Sequence, residues 1–391
     1  MKAQQLVLAT ILILAAVSCT EEVSRPSSIV DCPYDFSSYP KDSMYTSILE
    51  KYVDQGLPGV SVAIIDAEEG LWMGTAGYAN IEDGIEMNPC HLHHSASIAK
   101  MWIATLTLLL WEEGRIDLDA CIDNYLPDSV SDNLPNGHKA TVRQLMNHTS
   151  GIPEYNSTLT FNADSFNDPG AVQPTGELLG YISGFEPVAD TGELHYYSDA
   201  NYMVLTLVLD DVTGSHTREF EQRFIYGTGY TDTYYHNGGY PWLDEQVNSY
   251  FDRYGNKTLE NVSDWQIAAT ERVKGADGMI AAPADYAWFL RRLCTSQILS
   301  DSAFTEMSEF VPDPDYPEYE YGLGLATYPT PYGTWIGHGG ATLGAAGFTY
   351  HLPDSNVTIV MFSNIGTFFA TPLADVFYED LTEEMMAAVF D

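Results

Sequence analysis

Basic residues are scarce in this chain: 16 Lys and Arg stand against 55 Asp and Glu, a formal charge of −39 at neutral pH. A field of that sign repels nucleic acid and anionic lipid surfaces at ordinary ionic strength, so neither is expected as a partner. The acids are scattered rather than gathered in a tail, which describes a solvated acidic surface suited to a protein living in salt. Long apolar runs are lacking too. Beyond the first twenty residues the best candidate is Met101 to Trp111, too short for a membrane span and closed by Glu112-Glu113. No C-x-x-C pair and no H-E-x-x-H pair occurs, so no structural zinc or dithiol redox site is indicated. His91, His93 and His94 form an H-x-H-H cluster, but alternate positions on a strand point to opposite faces, so the three do not converge on one metal. The lack of G-x-S-x-G and of G-x-x-x-x-G-K-[ST] argues against an alpha/beta-hydrolase serine elbow and a nucleotide-phosphate loop. Neither internal repeats nor low-complexity tracts are found, and no cofactor is implied.

What is present is enough for a sizeable core, with 391 residues, 45% of them hydrophobic and 13% aromatic. Met1-Lys2, the apolar run Leu6 to Val17 and the small residues up to Cys19 form an export signal, residues 1–19. Because the small residues end directly on Cys19, the segment resembles a bacterial lipoprotein signal, in which that cysteine carries the lipid; Ala16 stands where such signals more often have leucine. The expected location is the cell envelope, with contact to the membrane only through this N-terminal anchor. Residues 20–42, rich in Ser, Pro, Asp and Tyr, follow as a tether. In an oxidising compartment Cys32, Cys90, Cys121 and Cys294 allow three pairings, and unpaired thiols are equally compatible with the sequence.

Residues 43–391 make up the folded part. Val60 to Ile65, the turn Glu68-Glu69-Gly70 and Leu71 to Ala76 read as strand, turn and strand, after a helix over Ser47 to Tyr52. A second strand-rich region comprises Tyr321 to Thr327, Thr334 to Gly337, Gly347 to Leu352 and Val357 to Phe362, before a terminal helix from about Pro372 to Val389. Helical patterns at 98–113, 141–147, 200–212 and 283–294 lie between. The expected fold class is therefore α+β: an antiparallel sheet built from both chain ends (about 43–90 and 315–391), flanked by helices, with a mostly helical insertion (about 91–314) and a cleft at their junction.

Within His94-Ser95-Ala96-Ser97-Ile98-Ala99-Lys100-Met101, a serine precedes a strongly helical run that ends at Gly114. Residues three apart share a helix face, so Ser97 and Lys100 can meet, and the helix N-terminus offers N–H groups to developing negative charge. A serine hydroxyl is a weak nucleophile until a neighbour takes its proton. The pattern alone means little, because Ser38-Tyr-Pro-Lys41 repeats it in the tether, where proline prevents the helix from continuing.

Order adds specificity. Ser97-x-x-Lys100, then Tyr197-Ser198-Asp199, then His338-Gly339-Gly340 resembles the class C beta-lactamase and D-alanyl-D-alanine carboxypeptidase family, over about residues 45 to 385. Gly77-Tyr-Ala-Asn80, Thr141 to Pro153 and Tyr321-Gly-Leu-Gly-Leu325 are similar as well. The resemblance implies an acyl-enzyme on Ser97, with Lys100, Tyr197 and His338 completing the catalytic set, Tyr197 shuttling a proton, and the N–H groups of Ser97 and Ala341 forming an oxyanion hole. It places Asp199, Gly339 and Gly340 at the substrate. Gly339, Gly340, Gly344 and Gly347 suit a strand that lets substrate backbone come close, and Asn147 to Gly151 shapes the cleft wall. Two residues depart from the family pattern. Asp199 stands where most relatives have asparagine, and a carboxylate near Lys100 raises the amine above its usual value of roughly 10.4, which moves the role of base toward Tyr197. Gly339 stands where many relatives have threonine, whose hydroxyl helps hold a substrate carboxylate. Both departures favour a peptidase or an esterase over an efficient lactamase. The implied substrates are cell-wall peptides, D-peptides, esters or beta-lactams; the rival is an envelope lipoprotein of the same fold that binds without turnover.

Overall fold

Side chains alternate across a strand, and in Val60 to Ile65 both sets are apolar: Val60, Val62 and Ile64 enter one buried cluster, Ala63 and Ile65 the other. A strand buried on both faces needs a layer of helices on each side. The computed structural model, which describes residues 30, 32–235, 243–367 and 371–391, has that arrangement. The candidate export signal with Cys19, and residues 20–29 and 31 of the tether, lie outside the described residues.

Numbering only the strands of the main sheet, β1 is Gly59–Asp66, β2 Gly70–Asn80, β3 Ile85–Glu86, β4 Val311–Pro312, β5 Glu320–Tyr321, β6 Ala326–Thr330, β7 Gly333–Ala341, β8 Ala346–Leu352 and β9 Val357–Ser363. The order across the sheet is β3-β2-β1-β9-β8-β7-β6-β5-β4. Every neighbouring pair is antiparallel, and β1 joins β9 through Val60 opposite Ser363 and Val62 opposite Met361. Both chain ends thus supply one sheet, as the patterning requires.

The principal helices are α1 (Asp42–Asp54), α2 (Ala99–Glu112), α3 (Asp199–Thr213), α4 (Ser263–Arg272), α5 (Pro283–Cys294) and α6 (Thr382–Ala388). On one face Tyr45 and Leu49 of α1 and Met385 of α6 pack with Trp72 and Ile359. On the other, Trp102 and Leu106 of α2, Val204 of α3 and Phe289 of α5 pack with Val360 and Phe362. Helix α2 is apolar on nearly every side, Lys100, Thr105 and Thr107 excepted, and is correspondingly buried from Ala99 to Leu108. Each large apolar side chain so buried stabilises the fold by about 1.5–3 kcal/mol before entropy is counted. Among the described residues no helix is long and apolar enough to cross a membrane.

Three segments differ from the sequence pattern. The second half of the tether is fastened to the fold: Cys32 is disulfide-bonded to Cys90, Phe36 packs against both cores, and Lys41 Nζ donates to Val389 O at 2.8 Å. Cys121 and Cys294 remain free. The single strand expected over Tyr321 to Thr327 is two, β5 and β6, because Gly324 turns at φ +81° and a Cβ there would meet Ala104 Cβ at 2.6 Å. Short helices such as Leu159–Asn167 and Asp301–Met307, capped by Thr158 and Ser300, fill the insertion where no long periodicity announces them.

Candidate active site

Ser97 lies in a single 3-10 turn, Ala96–Ile98, immediately before α2. The turn is fixed at its entrance. Ser95 N donates to Met279 O, and Ser95 Oγ donates to buried Asp277 Oδ1 at 3.0 Å. Ala96 sits at φ +45°, a left-handed conformation that a non-glycine residue adopts only when its surroundings hold it there.

Strand β7 presses on this turn from the sheet side. A Cβ on Gly340 would come within 2.6 Å of Ser95 O and 3.0 Å of Ala96 Cβ, so glycine there sets how near the strand can approach. Gly347 and Gly344 are likewise filled in by the protein, against Ile98 Cδ1 and Ser249 Cβ. The expectation that these glycines admit substrate backbone is therefore corrected for Gly340, Gly344 and Gly347, which admit the protein's own atoms. Gly339 alone of the four opens on free space, its nearest atom being Gly347 O at 3.7 Å from a built Cβ.

The Lys100 ammonium is completely buried and spends all three of its N–H donors: on Ser97 Oγ at 2.9 Å, Asp199 Oδ1 at 2.7 Å and Ala276 O at 3.1 Å. Burial pulls its pKa down, but the Asp199 carboxylate and then Tyr197 outweigh burial, and the net shift is upward. The effect expected of Asp199 from sequence is therefore present. Since an ammonium only donates, Ser97 Oγ is the acceptor in their hydrogen bond, and the hydroxyl proton must point elsewhere.

Tyr197 is the group that faces it. Its ring lies with Lys100 Nζ 4.9 Å from the centroid and is braced by His148 at 4.3 Å between centroids. Burial raises the phenol, while Lys100 and Ser97 draw it back, leaving it above its usual value. His148 is itself fixed, its Nδ1 accepting from Asn201 Nδ2 at 3.0 Å and from Ser198 N at 3.3 Å, so the buried Asn147 to Gly151 segment backs the Tyr197 ring.

His338 is on β7 and is 5% exposed. Its Nδ1 faces Gly339 O at 2.5 Å, an acceptor only, so Nδ1 carries the proton and Nε2 accepts from Tyr321 Oη at 2.9 Å. Burial, then Lys100, push it down to about 3, and the ring is neutral. It meets Tyr197 ring to ring at 6.1 Å. Ala341 ends β7, exposed, and lines the same cavity as Ser97.

The structure thus gathers Ser97, Lys100, Tyr197, Asp199, His338 and Ala341 around one cleft. His91, His93 and His94 go to separate partners, Asn88 N, Ser61 Oγ and Gln246 Nε2. Two contributors carry little sequence signal. Tyr321 stands in a recognised stretch, but its link to His338 needs β5 and β7 to be near each other in space. Glu154 follows one residue after the Thr141 to Pro153 stretch; its buried carboxylate accepts from Asp199 N at the start of α3 and from Asn156 N. Burial, then Asp199, raise its pKa.

Comparison with known proteins gives a consistent picture. The family model described as Beta-lactamase matches residues 45–378. The teichoic acid D-alanine hydrolase of Staphylococcus aureus is 24% identical over 72% of this chain and 66% of its own length. The chain spans 60–66% of the length of the curated relatives that it matches over most of its own. A D-stereospecific amidohydrolase from Streptomyces sp. superposes with a TM-score of 0.75 at 28% identity, covering 83% of this chain and 95% of that one. The D-amino acid amidase of Ochrobactrum anthropi SV3, complexed with L-phenylalanine amide, has the same fold, with a TM-score of 0.78 at 22% identity over 89% and 98% of the two chains.

Proposed function

The chain belongs to the beta-lactamase family, and from that premise we propose that it is an exported serine hydrolase that passes through an acyl-enzyme on Ser97. The observation that supports the reading is the exhausted Lys100 ammonium, which hydrogen-bonds Ser97 Oγ as a donor and so frees the hydroxyl proton for another acceptor, for which Tyr197, beside the pair, is the candidate. In the acylation step Tyr197, as phenolate, takes the Ser97 proton while Oγ adds to the substrate carbonyl. Lys100⁺ stabilises that phenolate. The oxyanion is held at the turn by the Ser97 and Ala341 N–H groups. Tyr197 then gives the proton to the departing nitrogen or oxygen, and water, activated by the same phenolate, releases the acid.

The substrates in this reading are D-configured amides, peptides or esters. Support comes from the names of the similar proteins, a D-alanine hydrolase and a D-stereospecific amidohydrolase, and from Gly339, which brings no hydroxyl to a terminal carboxylate. An envelope location agrees with the Met1 to Cys19 pattern and with the Cys32–Cys90 disulfide, a bond that persists in oxidising compartments.

The test offers the protein and its Ser97→Ala variant a p-nitrophenyl ester, a D-alanyl-D-alanine peptide and a chromogenic cephalosporin, following product and intact mass. Turnover and a transient acyl adduct are expected for the parent and neither for the variant. Equal rates in the two proteins would remove Ser97 from the reaction, and an adduct that never clears would make the protein a binder.

A further inference from the structure

Beside Ser97 opens a cavity of about 200 Å³ whose position follows from the proton path. Tyr197 protonates the leaving group, so the leaving group lies toward Tyr197 and His338. The cavity is lined by Ser97, Ala341 and Leu343 but by neither Tyr197 nor His338, and it extends the other way. It therefore receives the acyl portion of the substrate.

Its walls include the rings of Tyr155, Phe161, Phe251 and Trp265. In this surface of a strongly acidic chain stand two guanidinium groups, and they differ. Arg253 is paired with Glu260 at 2.9 Å and lies 4.9 Å from the Trp265 ring. Arg272, the last residue of α4, lines the cavity at 8% exposure with its guanidinium 5.6 Å from the Phe161 ring. Among the described residues no carboxylate forms an ion pair with Arg272, and its guanidinium donates no hydrogen bond. The two carboxylates on the cavity wall are engaged elsewhere, Asp277 with Ser95 Oγ and Gly278 N and Asp199 with Lys100 Nζ. A buried cation without an anion is costly to keep, and five forked N–H donors on an apolar wall match a carboxylate.

Resting on the acyl-enzyme reading above, we propose that Arg272 is an anion anchor in the acyl pocket, selecting substrates whose acyl group is apolar near the scissile carbonyl and carries a carboxylate at its far end. The aromatic walls hold the body of the group, and the guanidinium, unpaired in the free protein, takes the charge. The missing threonine at Gly339 fits this arrangement, because the recognised negative charge moves from the leaving group to the acyl side.

The test compares the p-nitrophenyl esters of phenylacetate and 4-carboxyphenylacetate. The parent is expected to prefer the carboxylated ester by ~10-fold or more in kcat/KM, in the range that a lost charged or hydrogen-bonding contact commands. In Arg272→Gln the ratio of the two falls to about one, and Arg272→Lys keeps part of it. A ratio of one in the parent, or a preference that survives Arg272→Gln, overturns the proposal while leaving the hydrolase reading intact. A second measurement needs no turnover: calorimetric titration of Ser97→Ala with 1,4-phenylenediacetate against phenylacetate. Tighter binding of the dianion, lost in Ser97→Ala/Arg272→Gln, supports the anchor even where neither ester is hydrolysed; equal binding of the two acids overturns it.

Discussion

In the proposed mechanism Asp199 decides which group in the site acts as the base. Its carboxylate holds Lys100 charged and, by its own negative charge, also raises Tyr197. With Lys100 held as the ammonium, Tyr197 is the group that must give up its proton before Ser97 can be activated, and the carboxylate's own charge opposes that loss. Replacing the carboxylate by the isosteric amide removes both effects. Burial then acts on Lys100 with less opposition, and Tyr197 loses a destabilising neighbour for its phenolate, so the pKa governing acylation falls. In Asp199→Asn the rising limb of the kcat/KM profile for an ester is expected to move to lower pH, and a limb that stays in place or moves up would show that this carboxylate does not set the base. Glu154 supports the arrangement from behind by accepting the Asp199 N–H. Glu154→Gln keeps one acceptor there, whereas Glu154→Ala leaves the N–H unsatisfied at a typical cost of about 1–3 kcal/mol. Glutamine also turns a donor toward the second N–H, that of Asn156, so chemical denaturation should place Glu154→Gln between the parent and Glu154→Ala.

The strand β7 and the turn at Ser97 form one device, and its tolerance is set by a missing side chain. A methyl on Gly340 meets backbone at 2.6 Å, which neither partner can rotate away. Overpacking of this kind costs about 1–3 kcal/mol and displaces what it touches, here the turn that carries Ser97. Gly340→Ala is expected to lose ~10²-fold in kcat/KM, the scale of a small misplacement of reacting groups, with a lower unfolding midpoint. Gly339→Ala, one residue away but facing open space, should change the midpoint by less than about 0.5 kcal/mol. Equal stability losses in the two variants would refute the packing account. The contrast also shows what sequence could and could not provide. The proximity of Ser97 and Lys100 was legible from their spacing at a helix start, whereas Tyr197, Asp199 and His338 were singled out by the resemblance of their motifs to a known family. The long helices at 99–112 and 283–294 were legible through sustained periodicity. Tyr321 on His338, Glu154 under Asp199 and Arg272 in the cavity beside Ser97 were not, because each contact exists only once elements remote in sequence are packed together. Gly340 and Gly339 look alike in sequence, and only the neighbouring backbone separates them. The helices at 159–167 and 301–307 escaped for the opposite reason, since one or two turns bury too few residues to display a period.

A net charge of −39 acts on the molecule as a whole. Repulsion among the excess acids destabilises any compact state, and salt relieves it, because the Debye length falls from about 30 Å at 0.01 M to about 3 Å at 1 M. Salt also weakens surface ion pairs such as Arg223 with Glu113 and Arg143 with Asp119, but exposed pairs contribute only about 0–1 kcal/mol each, and unpaired acids far outnumber the cations. The balance favours stabilisation, and the melting temperature at pH 7.5 should rise by at least ~3 °C between 0.01 M and 1 M NaCl. Once repulsion is screened, the dependence on pH is governed by buried groups. Burial pushes His91 and His351 down to about 4 and His338 to about 3, so these imidazoles take up protons on unfolding. Their contribution is complete above pH ~6.5, the unfolded value, and is lost as pH falls toward 4. Asp277 and Asp285, raised by burial to about 6, act in the opposite sense over part of that window. Glu154, raised by burial to about 8, acts with them, but against these three acids stand six imidazoles that burial lowers, His93, His148 and His195 included, so the loss is offset only in part. In 1 M NaCl the melting temperature should therefore fall from pH 7 to pH 4.5, and His351→Gln, which keeps a partner for Thr358 Oγ1 without a titrating ring, should flatten that fall. A melting temperature that rises on acidification at high salt would show that the buried imidazoles do not control the acid limb.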